Sequence, residues 1–449
     1  MLLKRQLGLV TATFVVIASM IGTGIFMTTG HVLGMTGSAM AVMILWTAGG
    51  FIAVCGSLCF AELAATWPEA GGEYIYLKKS FGFLPAFLTG WISLVVAFSA
   101  PAATAAMLLV RYVNHFLHTA LGTAPAAGIL DGTGAQKCAA AVIIIFFGCL
   151  HIVGIKRGSA VQNALTVLKL LIMVVLIGIG FCALDLSTLA RLNAHYPAPG
   201  RGDIGSLGLG LLVIMFAYSG WNGASYMGSE IRSPAKNLPR AMFWGTIVTT
   251  VLYLLLNIIF LLAAPGQEII NRDEIAAIAA GFLFGPAVNG VLFLGIALIL
   301  LSTVSVYLMM GPRVCYAMAC DRMLFARIAE VHPRFGTPWM AVLIQTALAV
   351  IYILAGTAME LVIYMGFALN IFPVLAVIGL MRMRRKEPAL HRPYRVPLYP
   401  LIPLLYVGAS ITMLIAALLH WTVTSLVSIA VLAAGVPVFY LWRRLAGHA

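Results

Sequence analysis

Twelve uninterrupted apolar runs constrain this chain more than any other feature. Each is long enough to cross a bilayer as a helix, which takes about 20 residues. They fall at 9–33, 39–66, 83–113, 137–155, 161–184, 205–230, 241–264, 287–312, 338–356, 360–381, 399–419 and 423–442. Long continuous runs fit helices, whose backbone groups bond within the segment, rather than the short alternating strands of a barrel. The 449 residues are 62% hydrophobic and only 9% charged, against about 25% charged in soluble domains. The mean hydropathy is +1.03. An all-α membrane protein with 12 transmembrane helices is the expected fold class. The first run is too long for a signal-peptide core and reads as a retained span.

The formal charge of +13 reads as topology rather than as a nucleic-acid surface, because the basic residues sit between apolar runs and not on one face. With the N-terminus placed inside, 21 Lys and Arg fall in cytoplasmic segments and five outside, at Arg111, Lys137, Arg191, Arg201 and Arg272. Lys169 alone is left within a span. This asymmetry predicts cytoplasmic N- and C-termini and an even number of spans.

Runs one and six each carry glycines and small polar residues in their middle: Ile21-Gly22-Thr23-Gly24-Ile25-Phe26 and Ser219-Gly220-Trp221-Asn222-Gly223. Run six comes five runs after run one, with four between, so it enters the membrane from the opposite side. Matched interruptions of this kind point to an inverted repeat with the binding site between the copies. The expected division of the single domain, 1–449, is repeat one over about 9–184, repeat two over about 205–381 and accessory helices over about 399–442, with helices 1 and 6 discontinuous.

Run one by itself admits two readings. The glycines weaken the helix by about 1 kcal/mol each, and an unwound stretch lining a cavity would aim N–H groups at a carboxylate. The same glycines would also serve a close helix crossing. Run six favours the first reading, because Phe216, Ser219, Gly220, Trp221 and Asn222 set aromatics beside a glycine and an amide. Carbonyls freed there could accept from an α-ammonium group.

Lys169 lies about eight residues into run five. A charge at the centre of a span costs about 2.5–3.5 kcal/mol on insertion scales. It either snorkels to the interface or is a fixed cation tying helices together, with Ser302, Thr303 and Ser305 of run eight as acceptors. Glu62 and His151 fall near run ends and read as interfacial. No carboxylate falls near the middle of a run, which favours a neutral substrate. Tyr253, Asn257 and Asn370 read as interhelical hydrogen bonders. Pro101, Pro373 and Pro437 mark kinks, and 268–284 reads as a surface or re-entrant helix, a lid. Cys55, Cys59, Cys138, Cys149, Cys182, Cys315 and Cys320 lie mostly within apolar runs and complete no metal site or disulfide framework. No metal and no cofactor is expected. Clustered carboxylates, a His-rich site and a soluble output domain are all missing from the sequence, so an enzyme or sensor is disfavoured.

At these residues the sequence resembles the amino acid–polyamine–organocation superfamily, and is most similar to the L-type amino acid transporters and their bacterial relatives. The resemblance covers nearly the whole chain. It is carried by Ile21 through Phe26, by Phe216 through Asn222, by Glu230-Ile231-Arg232 with Pro234 and 236–240, and by Glu62-Leu63-Ala64 followed by 68–74. It implies a substrate carboxylate at the backbone of Thr23 and Gly24, and an α-amino group at carbonyls near Ile21 and Phe216. It makes Phe216 an aromatic gate, with Trp221 and Asn222 shaping the pocket. Lys169 matches a lysine that takes the place of a sodium ion in sodium-coupled cousins, which implies transport without sodium. The implied motion is rocking of spans 1, 2, 6 and 7 against spans 3, 4, 8 and 9. Heteromeric mammalian members carry a cysteine between spans 3 and 4. The segment 115–136 has none, so no disulfide-linked heavy chain is expected, and a bacterial inner membrane is. The function implied is sodium-independent transport of neutral L-amino acids by exchange or proton-linked symport. Cationic amino acids or polyamines are the alternative cargo.

Overall fold

The computed structural model describes residues 3–121, 130, 132–196, 204–272, 274–285 and 288–445. Among these residues the secondary structure is helical, with three isolated β-bridges and no strand. The helices are α1 (Leu9–Met20), α2 (Gly24–Thr36), α3 (Ala39–Thr66), α4 (Glu73–Phe81), α5 (Phe83–Ile92), α6 (Ser99–Leu121), α7 (Thr133–Ile152), α8 (Ile155–Ala183) and α9 (Ile204–Tyr218). They continue as α10 (Pro234–Ala263), α11 (Gly266–Ile269), α12 (Ile275–Phe284), α13 (Asn289–Cys320), α14 (Trp339–Ala355), α15 (Ala358–Lys386), α16 (Leu401–His420) and α17 (Thr422–Leu445).

Nine helical stretches among the described residues are long and apolar enough to cross a membrane, and ten if α1 and α2, bent by 42° at their junction, form one span. Runs six and nine fall on α9 and α14, of 15 and 17 residues. At about 1.5 Å per residue, 15 residues reach about 22 Å, short of a hydrocarbon core of about 30 Å. Run six spends its remaining residues on the irregular segment after Tyr218 rather than on helix.

The bundle is apolar inside and out, as a protein solvated by lipid must be. Val142, Phe146, Leu171, Val174, Leu419 and Val423 stand exposed on its perimeter. α8 shows how one helix serves both environments. Gln162, Thr166, Lys169, Met173, Ile177 and Gly180 are buried at helical spacing, while Val167, Leu168, Leu171, Val174 and Val175 face outward. Lys169 is therefore on the inward face and fully buried, which overturns the snorkelling alternative.

α1 packs against α10, α8 and α13, and α2 packs against α9. α9 is flanked by α3 and α16. Ser93–Ala97 forms a π-helical turn between α5 and α6. Pro101 follows four residues later and has no N–H to return to the carbonyl of Ala97, which accounts for the loosened turn. Pro373 and Pro437 lie inside α15 and α17. The expected surface helix at 268–284 is α11 and α12; α12 buries Ile275, Ala276 and Ala279 and packs on α2, α10 and α13.

Two expectations about polar residues fail. Glu62 is 1% exposed: Arg384 holds both of its carboxylate oxygens, Arg392 lies 3.4 Å away, and Val396 N–H donates at 2.7 Å. His151 is 3% exposed and faces Ser305 Oγ at 3.0 Å. Both lie near helix ends, as the sequence places them, but neighbouring segments cover those ends. Arg313 is buried as well, in a two-pronged pair with Glu230 at 2.9 and 3.0 Å. Lys78 and Tyr74 both reach Asp321, at 2.7 and 2.8 Å.

Candidate functional site

α1 stops at Met20 and α2 starts at Gly24, leaving Ile21–Thr23 outside both helices. Sterics explain why this stretch is small. A Cβ on Gly24 would lie 2.7 Å from the Cα of Ala217, a backbone atom that cannot swing away. A Cβ on Gly22 would meet nothing closer than a Thr303 methyl at 3.6 Å. α9 ends at Tyr218, and Gly220 turns the chain with φ +103, a conformation open chiefly to glycine. A Cβ there would sit 2.7 Å from the Ser19 carbonyl group. Short 3₁₀ turns follow at Gly223–Tyr226 and Gly228–Glu230.

The two breaks meet. Ser19 Oγ donates to the carbonyl of Gly220 at 2.9 Å. The Tyr253 hydroxyl lies 2.6 Å from the carbonyl of Met20 and 3.0 Å from that of Ala217, so one proton is shared between the ends of α1 and α9. Helix ends leave carbonyls without internal partners, and here neighbouring helices supply donors. Lys169 Nζ supplies three more, to Ala18 O at 3.1 Å, Ile21 O at 2.6 Å and Thr303 Oγ1 at 3.0 Å. A cation at the negative end of α1 is favourably placed, and all three ammonium protons are used.

The acceptors for Lys169 differ in part from those expected. Thr303 reaches it, and also donates to Ile21 O at 3.0 Å. Ser302 instead accepts from Gln162 Nε2 at 3.1 Å, and Ser305 faces His151. They are neighbours in sequence, yet one α-helical residue advances about 100° around the axis, so only one of the three can face the lysine. The Ile21 carbonyl accepts twice, from Lys169 and Thr303, which occupies both of its lone pairs. The carbonyl of Ser19 has no donor among the described residues, and that of Phe216 takes only the N–H of Ser219, at 3.1 Å.

At the start of α2 the geometry is complementary. Its N-cap residue Thr23 makes no side-chain capping bond, so the first N–H groups of α2 remain available. A helix N-terminus of this kind attracts a carboxylate.

Three cavities meet at Phe216, which is 39% exposed to them. The smallest, about 40 Å³, lies between the broken helices and is lined by Ser19, Gly22, Thr23, Gly24, Ser219 and Thr303 among others. An outer one of about 240 Å³ adds Met27, His31 and Trp421. An inner one of about 140 Å³ is bounded by Phe98, Trp221, Asn222, Tyr226 and Tyr307. Trp221 packs edge-on to Phe60 and Tyr406, with centroids 4.9 and 5.7 Å apart. Of the residues singled out in runs one and six, Gly22 through Gly24 and Phe216 with Ser219 through Asn222 line these cavities, whereas Ile21 is fully buried and lines none of them.

The inner cavity also holds a residue that the run boundaries hid. Glu73, which falls between runs two and three, begins α4 and lines that cavity, 7% exposed. Asn222 Nδ2 donates to its Oε1 at 2.6 Å. Gly71 and Gly72, at φ +113 and +51, turn the chain so that α4 starts inside, and a Cβ on Gly72 would strike the Tyr226 ring at 2.7 Å. The Gly-Gly pair before a carboxylate was the available signal. No carboxylate falls near the middle of a run, yet Glu73, from between runs two and three, reaches this cavity. Tyr253 bonds across helices at the two breaks, as the sequence reading has it, whereas nothing in the sequence distinguishes Tyr307, which lines the same cavities, from other buried tyrosines.

A first span broken between two helices, a second break packed against it and a buried cation at the first break define a helical membrane transporter. Residues 7–443 match the amino acid permease family, and the chain belongs to it. It is 32% identical to the serine/threonine exchanger SteT of Bacillus subtilis over 98% of both chains. It is 30% identical to the human large neutral amino acids transporter small subunit 2, covering 98% of this chain and 80% of the relative. To the human Asc-type amino acid transporter 1 it is 28% identical, over 98% and 83% respectively.

Proposed function

We propose that this chain carries neutral L-amino acids by alternating access without sodium. The observation that carries this reading is the environment of Lys169. Two carbonyls and a hydroxyl at a helix break are the oxygen set that a coupled sodium ion takes in carriers of this architecture, and here an ammonium group fills it. The substrate carboxylate docks on the N–H groups around Thr23 and Gly24. Its α-ammonium group lies between the carbonyls of Ser19 and Phe216, since that of Ile21 is already saturated. Phe216 screens the bound molecule from the outer cavity, and Trp221 and Asn222 bound the space for its side chain.

The same reading comprises twelve spans in two inverted repeats, about 9–184 and 205–381, with accessory helices at 399–442. Both termini are cytoplasmic, in an inner membrane. No disulfide-linked heavy chain is required, because the segment 115–136, much of which lies outside the described residues, contains no cysteine. The names of two relatives, an exchanger and a neutral amino acid transporter, support the cargo and the mode.

A cationic cargo is the second reading. It is favoured by Glu73 at the inner cavity and by 28% identity to the human b(0,+)-type amino acid transporter 1. Counterflow of labelled L-serine and L-leucine in proteoliposomes, competed by unlabelled L-alanine, L-arginine and putrescine, separates the two. Competition by L-alanine alone supports the first reading; dominant competition by L-arginine or putrescine replaces it with the second.

A further inference from the structure

Glu73 has a use that neither the fold nor the amino acid pocket requires of it. Its carboxyl group is buried against the inner cavity, and the polar groups around it are neutral: the Asn222 amide, which donates at 2.6 Å, and the nearby hydroxyls of Tyr226 and Thr89. Tyr76 on its own helix and Tyr406 on α16 are the other titratable groups facing it.

The charged groups on the elements packed around α4 are engaged elsewhere. Arg313 on α13 pairs with Glu230. Lys78 on α4 pairs with Asp321 at the end of α13, and Lys79 lies 3.7 Å from Glu69. Arg384 on α15 holds Glu62, Arg382 lies over the Phe81 ring, and Arg385 and Lys386 are exposed. A buried carboxylate facing only neutral donors is neutralised most readily by a proton. Burial pushes the Glu73 carboxyl up to about 7, against the pull of the Tyr226, Asn222 and Thr89 bonds.

Asn222 gives that proton a route to the substrate. It is the last residue before the 3₁₀ turn at Gly223 and lines the inner cavity. Its Nδ2 is divided between Glu73 and the Tyr226 hydroxyl, 3.3 Å away. An ionised Glu73 only accepts, whereas a protonated one also donates. Adding the proton therefore lets the bond to Asn222 reverse, and the amide can turn its N–H₂ group toward the cavity.

Building on the carrier reading above, we infer that Glu73 is a proton-binding site linked through Asn222 to the amino acid pocket, so that the loaded carrier holds a proton and an amino acid together. The step is transfer of one proton from solvent to a carboxylate oxygen of Glu73, forming one O–H bond. The direction of the linkage follows from solvation. A bound amino acid displaces water from the cavity, which disfavours the ionised carboxyl and raises its proton affinity. By reciprocity the protonated carrier binds the amino acid more tightly.

The test is equilibrium binding of labelled L-serine, L-alanine and L-leucine to the purified full chain across a pH series centred on neutrality. The wild type should bind about tenfold more weakly on the alkaline side than on the acid side, the change expected for one pH unit in proton affinity. Glu73→Gln should bind with the acid-side affinity at every pH. Glu73→Asp should restore a pH dependence and reports that the site still folds. His31 lines the outer cavity, so the Glu73→Gln arm is what assigns the effect. A wild-type profile retained in Glu73→Gln, or flat binding in the wild type, overturns the inference. Should Glu73→Gln fail to fold, proton uptake by His31→Asn on adding L-serine at neutral pH decides: uptake with the imidazole removed supports the site, and its absence rejects it. Failure of the wild type to bind any amino acid of the panel, arginine included, would instead refute the carrier reading.

Discussion

The ammonium group of Lys169 lies 2.6 Å from the carbonyl oxygen of Ile21, the first residue after α1 stops. This contact joins α8 to the place where the first span loses its hydrogen-bond ladder. With Ala18 O and Thr303 Oγ1 it keeps three freed or buried oxygens satisfied without an ion. The oxygens that Lys169 holds thus lie at the bend in the first span.

Lys169→Ala removes the donor to the buried Ala18 O, at about 1–3 kcal/mol for an unsatisfied group, while Ile21 O keeps the Thr303 hydroxyl. The variant is expected to insert and to remain monodisperse on size exclusion, while counterflow falls at least about tenfold, the equivalent of 1.4 kcal/mol. Wild-type counterflow in Lys169→Ala would remove the lysine from the mechanism.

The glycines of the two breaks should not be equivalent. Gly220→Ala places a side chain at φ +103 and against the Ser19 backbone, a strain of about 1–3 kcal/mol. Gly24→Ala meets the Ala217 backbone at 2.7 Å, whereas Gly22→Ala has 3.6 Å of clearance from the nearest atom. Thermal unfolding in detergent should show Gly22→Ala near the wild type and the other two clearly lower. Equal loss in all three would contradict the packing described for the junction.

Phe216 borders all three cavities. Phe216→Ala opens the outer cavity to the pocket without removing a carboxylate or ammonium contact. Transport is therefore expected to fall more than equilibrium binding does. Parallel loss of both would make Phe216 a binding residue and not a gate.

Arg313 and Glu230 are each 1% exposed and bonded through two oxygens. Arg313→Met should lower stability by about 3–5 kcal/mol by stranding a buried carboxylate. Arg313→Met with Glu230→Leu should recover most of that loss. Unfolding midpoints of the single and double variants test this, and an additive loss in the double variant would count against it.

Much of this site was legible because membrane spans have little use for certain residues. Gly22, Gly24 and Gly220 stand out where helix formers are expected, and Lys169 stands out where charge is costly. The meeting of the two breaks and the burial of Lys169 follow from those rules. What could not be read depends on rotation and on chain reversal. Thr303 reaches Lys169 while Ser302 and Ser305 do not, because helix phase is set by packing across α13 and not by composition. Glu73 looks like a loop residue until Gly71 and Gly72 turn it under Asn222. Glu62 looks interfacial until Arg384, 322 residues later, arrives beside it. The twelve runs map onto helices, but α9 is too short to be recognised as a span from its own length, because part of its run forms the break.

The central claim is that an ammonium group at the break of the first span takes the place of a coupling ion. Its most direct test is the initial rate of labelled L-serine uptake into proteoliposomes preloaded with unlabelled L-serine, measured with sodium salts and with sodium replaced by choline. The account predicts the same rate in both. Uptake that depends on sodium would contradict it.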